Sequence, residues 1–441
     1  MQLLTPLTDR RYRHLFAAQV IALFGTGLAT VALSLLAFDL AGDEAGRVLG
    51  TAFTIKMVAY VCLAPLTAAI TERLPPRAVL VVLDLIRASV ALLLPFISEV
   101  CHIYVLIFAL QAASAAFTPT FQATIPEVLP EEKAYTNALS LSRLAYDLEN
   151  LLTPTVAAAV LLVASYQSLF IGTTLGFLAS ALLVLTVVLP SPKPSGSAPF
   201  RKRLTSGLTI YLRTPRLRGM LAVYLSVASG GAMVIINTVV LVQGTYGLAP
   251  NDVAIALACF GGGSMVAALG LPAVLERIPD RTVMQAGAAL MAVTMTVATL
   301  VSGYDLLLGL WTIMGLGYGA AQTPAGRVLK RSAHAADRPA LFAAQFALSH
   351  ACWLLTYPLA GWLGVALGLP ITFAILGTLC WVGFGLSIVL WPRLDEEIIE
   401  HSHPELAPDD PHLAEGDHPH GHTHTHVFVI DDRHPHWPHR L

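Results

Sequence analysis

Between Leu15 and Trp391 the chain returns repeatedly to apolar runs of about twenty residues, long enough for a helix to cross the hydrocarbon of a bilayer. Inside hydrocarbon each backbone amide must find its partner within its own segment, so runs of this length fold as helices. Charged residues make up 12% of the chain and hydrophobic residues 55%. A soluble domain would carry roughly 25% charged residues. Twelve spans are read, at 15–38, 47–70, 78–97, 102–125, 138–163, 167–189, 218–241, 251–274, 282–301, 304–328, 340–365 and 369–391. The expected fold class is therefore an all-α membrane protein of twelve helices.

The first run is too long for a signal-peptide core and lacks a small-residue cleavage site, so it is read as a retained helix. Lys and Arg gather in the N-terminal segment and the even-numbered loops, above all Lys193, Arg201, Lys202, Arg203, Arg213 and Arg216, while the opposite loops hold essentially Arg47. That bias places both termini in the cytoplasm. The five cysteines are scattered through apolar segments and read as buried free thiols. With the charges segregated by membrane side, the bilayer is the expected partner and nucleic acid is not. No G-x-x-x-x-G-K-[ST] loop is present, so no nucleotide partner is expected. No hydrolytic triad has an aqueous setting, and an enzyme is not expected.

Two hexapeptides reveal an internal repeat. ERLPPR at 72–77 recurs as ERIPDR at 276–281, FTPT at 117–120 answers QTPA at 322–325, and Pro154 answers Pro358. The near-constant offset divides the chain into an N-terminal six-helix half (1–190), a basic Pro/Ser/Gly-rich linker (191–217), a C-terminal six-helix half (218–392) and a tail (393–441). Two such halves rocking about a central site are the physical basis of alternating access.

The two hexapeptide loops resemble the G-x-x-x-D-R-x-G-R-[KR] motif of the major facilitator superfamily. Ala68, Glu72, Arg73, Pro75, Pro76 and Arg77 fill the first copy; Pro272, Glu276, Arg277, Pro279, Asp280 and Arg281 fill the second. The acids and arginines are kept, while alanine or proline replaces the glycines. The resemblance covers about residues 10–392. It implies the facilitator fold, with the acids and arginines of both copies, Glu72, Arg73, Arg77, Glu276, Arg277 and Arg281 among them, latching the cytoplasmic ends of neighbouring helices.

Ionisable groups at membrane depth need a partner or a task. Asp84 and Arg87, at i, i+3 near the first latch, are read as a pair and grouped with the cytoplasmic gate. Lys56 either snorkels or faces the interior, and Asp39 is read as interfacial. The densest cluster is SRLAYDLENLLTP at 142–154, in which Arg143 and Asp147 form an i, i+4 pair. Thr153-Pro154 stands where facilitator exporters carry Gly-Pro. Asp147, Glu149 and Asn150 from this span, with His350 from span eleven, are the candidate transport site. Their N and O atoms suit a divalent first-row metal, and the same groups can carry protons. The glycines of GGGS (261–264) and GLGYGAAQTPAG (315–326) lie in apolar helices and read as close-packing positions.

Eleven of the fifteen histidines fall in the tail: His401, His403, His412, His418, His420, His422, His424, His426, His434, His436 and His439. Proline, glycine and acids around them predict a disordered cytoplasmic segment. From His418 to His426 every second residue is histidine, so in an extended chain the rings share a side. Neutral imidazole suits nickel, copper(II), cobalt and zinc, and the absence of cysteine speaks against copper(I).

With this tail, the stretches LTPLTDRRYRHLFAAQVIALFGTGL (4–28) and QAASAAFTPTFQATIPEVLP (111–130) are similar to the facilitator-type nickel-resistance exporters of bacteria. That resemblance, not the ligand chemistry, selects nickel over cobalt or zinc. It implies a multi-pass protein of a bacterial inner membrane that uses no cofactor and carries nickel as its transported ion. Moving a divalent cation out against an inside-negative potential costs about 2 × 2.3 kcal/mol per 100 mV, which inward flow of two protons cancels. Proton antiport is therefore expected, with Asp147 or Glu149 alternating between proton and metal. Two other functions fit the sequence: export of a small organic molecule (a drug or siderophore), and a non-transporting metal sensor.

Overall fold

The computed structural model describes residues 2–41, 45–71, 74–161, 163–190, 200–248, 250–300, 303–403, 411–414, 417–420 and 422–438. Six helices build the first half: α1 (Arg10–Ala41), α2 (Ala45–Thr71), α3 (Pro76–Leu93), α4 (Val100–Val128), α5 (Glu132–Leu161) and α6 (Gln167–Leu185). After α7 (Phe200–Arg213) the second half runs through α8 (Pro215–Val239), α9 (Pro250–Leu275), α10 (Asp280–Leu300), α11 (Tyr304–Gln322), α12 (Ala325–Lys330), α13 (Arg338–Ala366) and α14 (Leu369–Leu390). Nine of the described helices are long and apolar enough to cross a membrane. Three more, α2, α5 and α11, run the length of the bundle beside them. Five entries carry proline in the first turn, where its missing N–H costs nothing: Pro76, Pro215, Pro250, Pro339 and Pro370.

The repeat is visible in the packing. In the first half α1 packs on α5 and α6, α2 on α4, and α3 on α4 and α6; in the second, α8 packs on α13 and α14, α9 on α11, and α10 on α11 and α14. Across the halves α2 lies along α13 and α5 along α9, the two pairings that a pseudo-twofold axis exchanges. Of the glycines read as packing positions, Gly263 and Gly315 let α9 and α11 approach: a Cβ on Gly315 would strike the Phe260 carbonyl and one on Gly263 the Thr312 carbonyl, whereas one on Gly261 or Gly262 would meet open space. The halves depart from each other at one point. Pro119 sits inside continuous α4, whereas the corresponding Pro324 parts α11 from α12, so the tenth span does not run unbroken to 328.

Within the linker α7 forms and packs against both α2 and α13. One expectation needs correction. The tail is not disordered in its described part. Strands β1 (Ile398–Ser402), β2 (Asp417–His420) and β3 (Thr423–Val427) form an antiparallel sheet in the order β1-β3-β2. Its anchor is a short apolar run: Phe428, Val429 and Ile430 are 2%, 4% and 3% exposed, and Phe428 and Ile430 join the core of the second half. At about 25 cal/mol per Å² of apolar surface removed from water, a buried Phe and Ile offset part of the ordering cost that proline and glycine otherwise leave unmet.

Candidate transport path and metal centre

At the face carrying the basic loops, the halves are joined by charge. Glu127, at the end of α4, is ion-paired with Arg338, at the start of α13. Arg327 of α12 lies 3.2 Å from Glu132 of α5 and 2.9 Å from Asp280 of α10, and donates to Thr136 Oγ1 at 2.7 Å. Lys330 donates to the Pro130 carbonyl at 2.9 Å, and Lys133 pairs with Glu276 at 2.8 Å. This side of the bundle is closed.

The motif residues divide between roles. Glu72 and Arg73 lie outside the described residues. Arg77 donates to the Leu185 carbonyl at the end of α6, and Arg281 to the Trp391 carbonyl at 3.0 Å, so both arginines tie helix ends within their own half. Glu276 and Asp280 belong to the inter-half network, while Arg277 is exposed. Asp84 and Arg87 form a buried ion pair inside the first half. Ser180 donates to Asp84 at 2.7 Å, and the guanidinium lies 3.9 Å from the Phe117 ring and 4.5 Å from that of Phe177. They join α3, α4 and α6 and do not bridge the halves.

Glu127, Glu132, Arg327, Lys330 and Arg338 were not singled out from the sequence, although a signal for them exists. PEVLPEEK at 126–133 carries Glu127, Glu131 and Glu132 where its repeat mate, at 330–338, carries Lys330, Arg331 and Arg338. Loops of opposite charge on the two halves are what an ion-paired seam between them requires. Arg338→Glu should therefore cut transport sharply by repelling Glu127, and Glu127→Arg in the same chain should restore it. The check is substrate flux through both variants in vesicles; a double variant as inactive as the single would remove the pair from the gate.

Deeper in the bundle, the transport-site candidates lie in two places. Asp147 and Asn150 are on α5, and their side chains lie outside the described residues. Glu149 packs on α1, where a Cβ at Gly27 would run into its Oε1 and into Thr153. His350 of α13 sits at the seam with α2. Its Nδ1–H donates to the Phe346 carbonyl at 2.7 Å, leaving the Nε2 lone pair, and its ring stands edge-on to Tyr60 at 4.8 Å. Tyr60 in turn donates to Gln111 at 2.9 Å. Lys56 Nζ lies 5.6 Å from the Tyr60 ring, which packs on Phe346 and His350 of α13, so it faces the interior rather than snorkelling. Arg143 reaches across the halves, donating to Ser264 at 3.1 Å and lying 4.7 Å from the Tyr318 ring.

The tail brings its histidines to one point. The β1–β3 register sets His401 opposite His424, with His426 two residues on along the same face, as alternation predicts. His412, from the short helix at 411–414, and His434, after β3, complete a group of five whose ligand atoms all lie within 4.8 Å of one another. His403 adjoins them, its Nε2 3.2 Å from that of His434 and 3.3 Å from that of His412. Burial, with the neighbouring imidazoles, pushes His401 down to about 4, so at neutral pH it is an uncharged ligand. His422 points away, to the His403 carbonyl, and His436 is exposed. The side chains of His418 and His420, and all of His439, lie outside the described residues. The fit to a metal is chemical: imidazoles converge, and among the described residues no acid joins the group.

Asp431 connects this pocket to the body. It accepts from His434 Nδ1 at 2.8 Å and lies 3.5 Å from His334, in the loop between α12 and α13. Burial works against its charge, but hydrogen bonds from His334 and His434 outweigh that and hold the carboxyl far below the ordinary range. Around it, Arg331 pairs with Asp395 at 2.6 Å, Arg216 lies 3.3 Å from Asp395, and Arg213 donates to the Pro435 carbonyl at 2.9 Å.

Among solved structures, the fold is similar to that of the human organic anion transporter MFSD10 (TETRAN), with a TM-score of 0.73 at 13% identity, covering 86% of this chain and 99% of that one. A comparison of the sequence with curated proteins finds no match. The family model described as Major Facilitator Superfamily matches residues 15–274 and 221–408, which together take in both halves. Two repeated six-helix halves, closed on one side by charge and matched by that model over most of their length, place the chain in the major facilitator superfamily: it is a membrane transporter of that family.

Proposed function

We propose that this transporter exports a divalent transition metal ion from the cytoplasm by alternating access, in exchange for protons. Nickel is the ion the sequence resemblance selects. The observation that carries the reading is the histidine pocket, which stands beside the closed, basic side of the bundle where an exporter would meet its cargo. Glu149 and the Nε2 of His350 supply oxygen and nitrogen ligands at membrane depth. Lys56 competes with any cation there, so the metal must displace its charge from Glu149, as a proton also would.

A second reading is export of an organic anion. Lys56 and Arg143 both bring positive charge into the interior, and the structurally similar human protein is an organic anion transporter. One experiment separates the two. Inside-out vesicles holding the protein are given radioactive nickel, or a lipophilic organic anion, with and without an interior-acid pH gradient. Gradient-driven nickel accumulation is the expected result. Accumulation of the organic anion without nickel would hand the function to the second reading, and metal binding without flux of either would leave a sensor.

A further inference from the structure

The pocket in the tail is more specific than a buffering segment would need to be. His401, His426 and His434 each commit Nδ1–H to an acceptor: the Ile399 carbonyl at 2.9 Å, the Val427 carbonyl at 2.8 Å and Asp431 at 2.8 Å. In that tautomer the Nε2 lone pairs all turn inward, the arrangement that second-shell acceptors impose on metal-bound histidines. His434 Nε2 then lies 3.0 Å from that of His401 and 3.2 Å from those of His403 and His412. His426 Nε2 is buried with no hydrogen-bond partner among the described residues. Lone pairs this close repel unless a cation stands between them. With a metal–nitrogen bond of about 2.1 Å, the edge of an octahedron is about 3.0 Å and that of a tetrahedron about 3.4 Å. The separations fall in that interval. Five imidazoles (His401, His412, His424, His426 and His434) converge, with His403 alongside, which is more than a tetrahedral ion needs and matches the five- or six-coordination that nickel accepts and zinc tolerates.

The ligands come from four separate segments, and one of those segments is held by the body of the transporter. His434 is oriented by Asp431, which contacts His334; Pro435 is held by Arg213, and Trp437 lies under Arg216 at 5.1 Å. Detaching 431–437 from the body would take His434 out of the pocket. The loop bearing His334 runs from Arg331 to Arg338, and Arg338 is the gate residue paired with Glu127. Arg331 joins the tail acids Asp395 and Glu397 to Asp280, itself bound to Arg327 of the gate.

We propose that these five histidines, with His403 beside them, form a single regulatory metal site, separate from the transport path, whose occupation docks the tail and stabilises the state closed to the cytoplasm. The physical basis is linkage: an ion that binds only the assembled pocket must favour the docked arrangement, and with it the gate geometry to which docking is joined. This rests on the metal-handling part of the function proposed above, but not on the metal being exported.

The test uses the full-length protein in lipid nanodiscs with its five cysteines replaced by alanine. Spin labels go at Leu74→Cys and Ile278→Cys, exposed positions in the repeat-related loops of the two halves. Zinc is the probe because it is diamagnetic. One equivalent should raise the ratio of short to long label separations about 5-fold or more, in the usual range of allosteric coupling. His401→Ala with His434→Ala should lose both the tight binding seen by calorimetry and the shift. His334→Ala should still bind one zinc but shift the distances much less. Zinc binding at one equivalent with unchanged distances would overturn the proposal, as would an equal shift in the double variant. Gate closure by zinc without nickel flux in vesicles would leave this site standing and remove the exporter; flux with a gate indifferent to zinc would do the reverse.

Discussion

Arg87→Ala should leave little folded protein in the membrane. Its side chain is 5% exposed and that of Asp84 is fully buried, so the substitution strands a carboxylate among α3, α4 and α6 with only Ser180 beside it. Removing one member of a buried pair costs about 3–5 kcal/mol, a large part of the stability of most folds. The two rings on which Arg87 lies, Phe117 and Phe177, lose their contact as well. Replacing both charges, with Asp84→Asn and Arg87→Met, should recover much of the loss because no unpaired charge remains. Fluorescence-detected gel filtration after detergent extraction, with a melting curve, reads both variants. A single variant that melts with the wild type would show that the charge is solvated and the structural assignment wrong.

Loss of coupled transport is expected from Glu149→Gln, while the protein itself stays folded. The change keeps the size of the side chain and its place against Gly27, but it removes the charge that must hold a metal, or a proton, against Lys56. Gradient-driven nickel uptake into inside-out vesicles should fall to the level of vesicles without the protein. Lys56→Met is the companion measurement. With the competing cation gone, metal should bind more tightly and leave more slowly, so uptake should saturate at lower nickel and reach a lower maximum. Full proton-coupled uptake by Glu149→Gln would take the role from this residue and pass it to Asp147; if that too can be made neutral without effect, span five does not carry the coupling.

Much of this architecture was legible before any coordinates. Apolar runs of bilayer length permit only helices, and the offset between ERLPPR and ERIPDR divides them into halves whose packing proves to be the same. The pairing of Asp84 with Arg87 followed from helical spacing alone. The gate was read less well, because a motif marks the loops that repeat within each half, whereas a contact between halves needs unlike charges on loops that face each other across the seam. Glu127 and Arg338 carry no motif and are not repeat mates; their pairing appears only in the folded bundle. Lys56 was undecidable for a related reason: a lysine on a membrane helix reads the same from either face, and only the packing of α2 on α13 turns it inward.

The tail shows the same division. That its imidazoles are metal ligands by type, and that alternate ones share a side, follows from residue identity and the two-residue period of an extended chain. Composition alone predicted disorder, because it averages over the segment and misses the three buried residues Phe428, Val429 and Ile430 that anchor the sheet. Local chemistry and periodicity act between near neighbours and are written in the chain. Convergence of His401, His412 and His434 depends on contacts between segments far apart in sequence, and those exist only once the body of the transporter is there to hold Asp431 and Pro435.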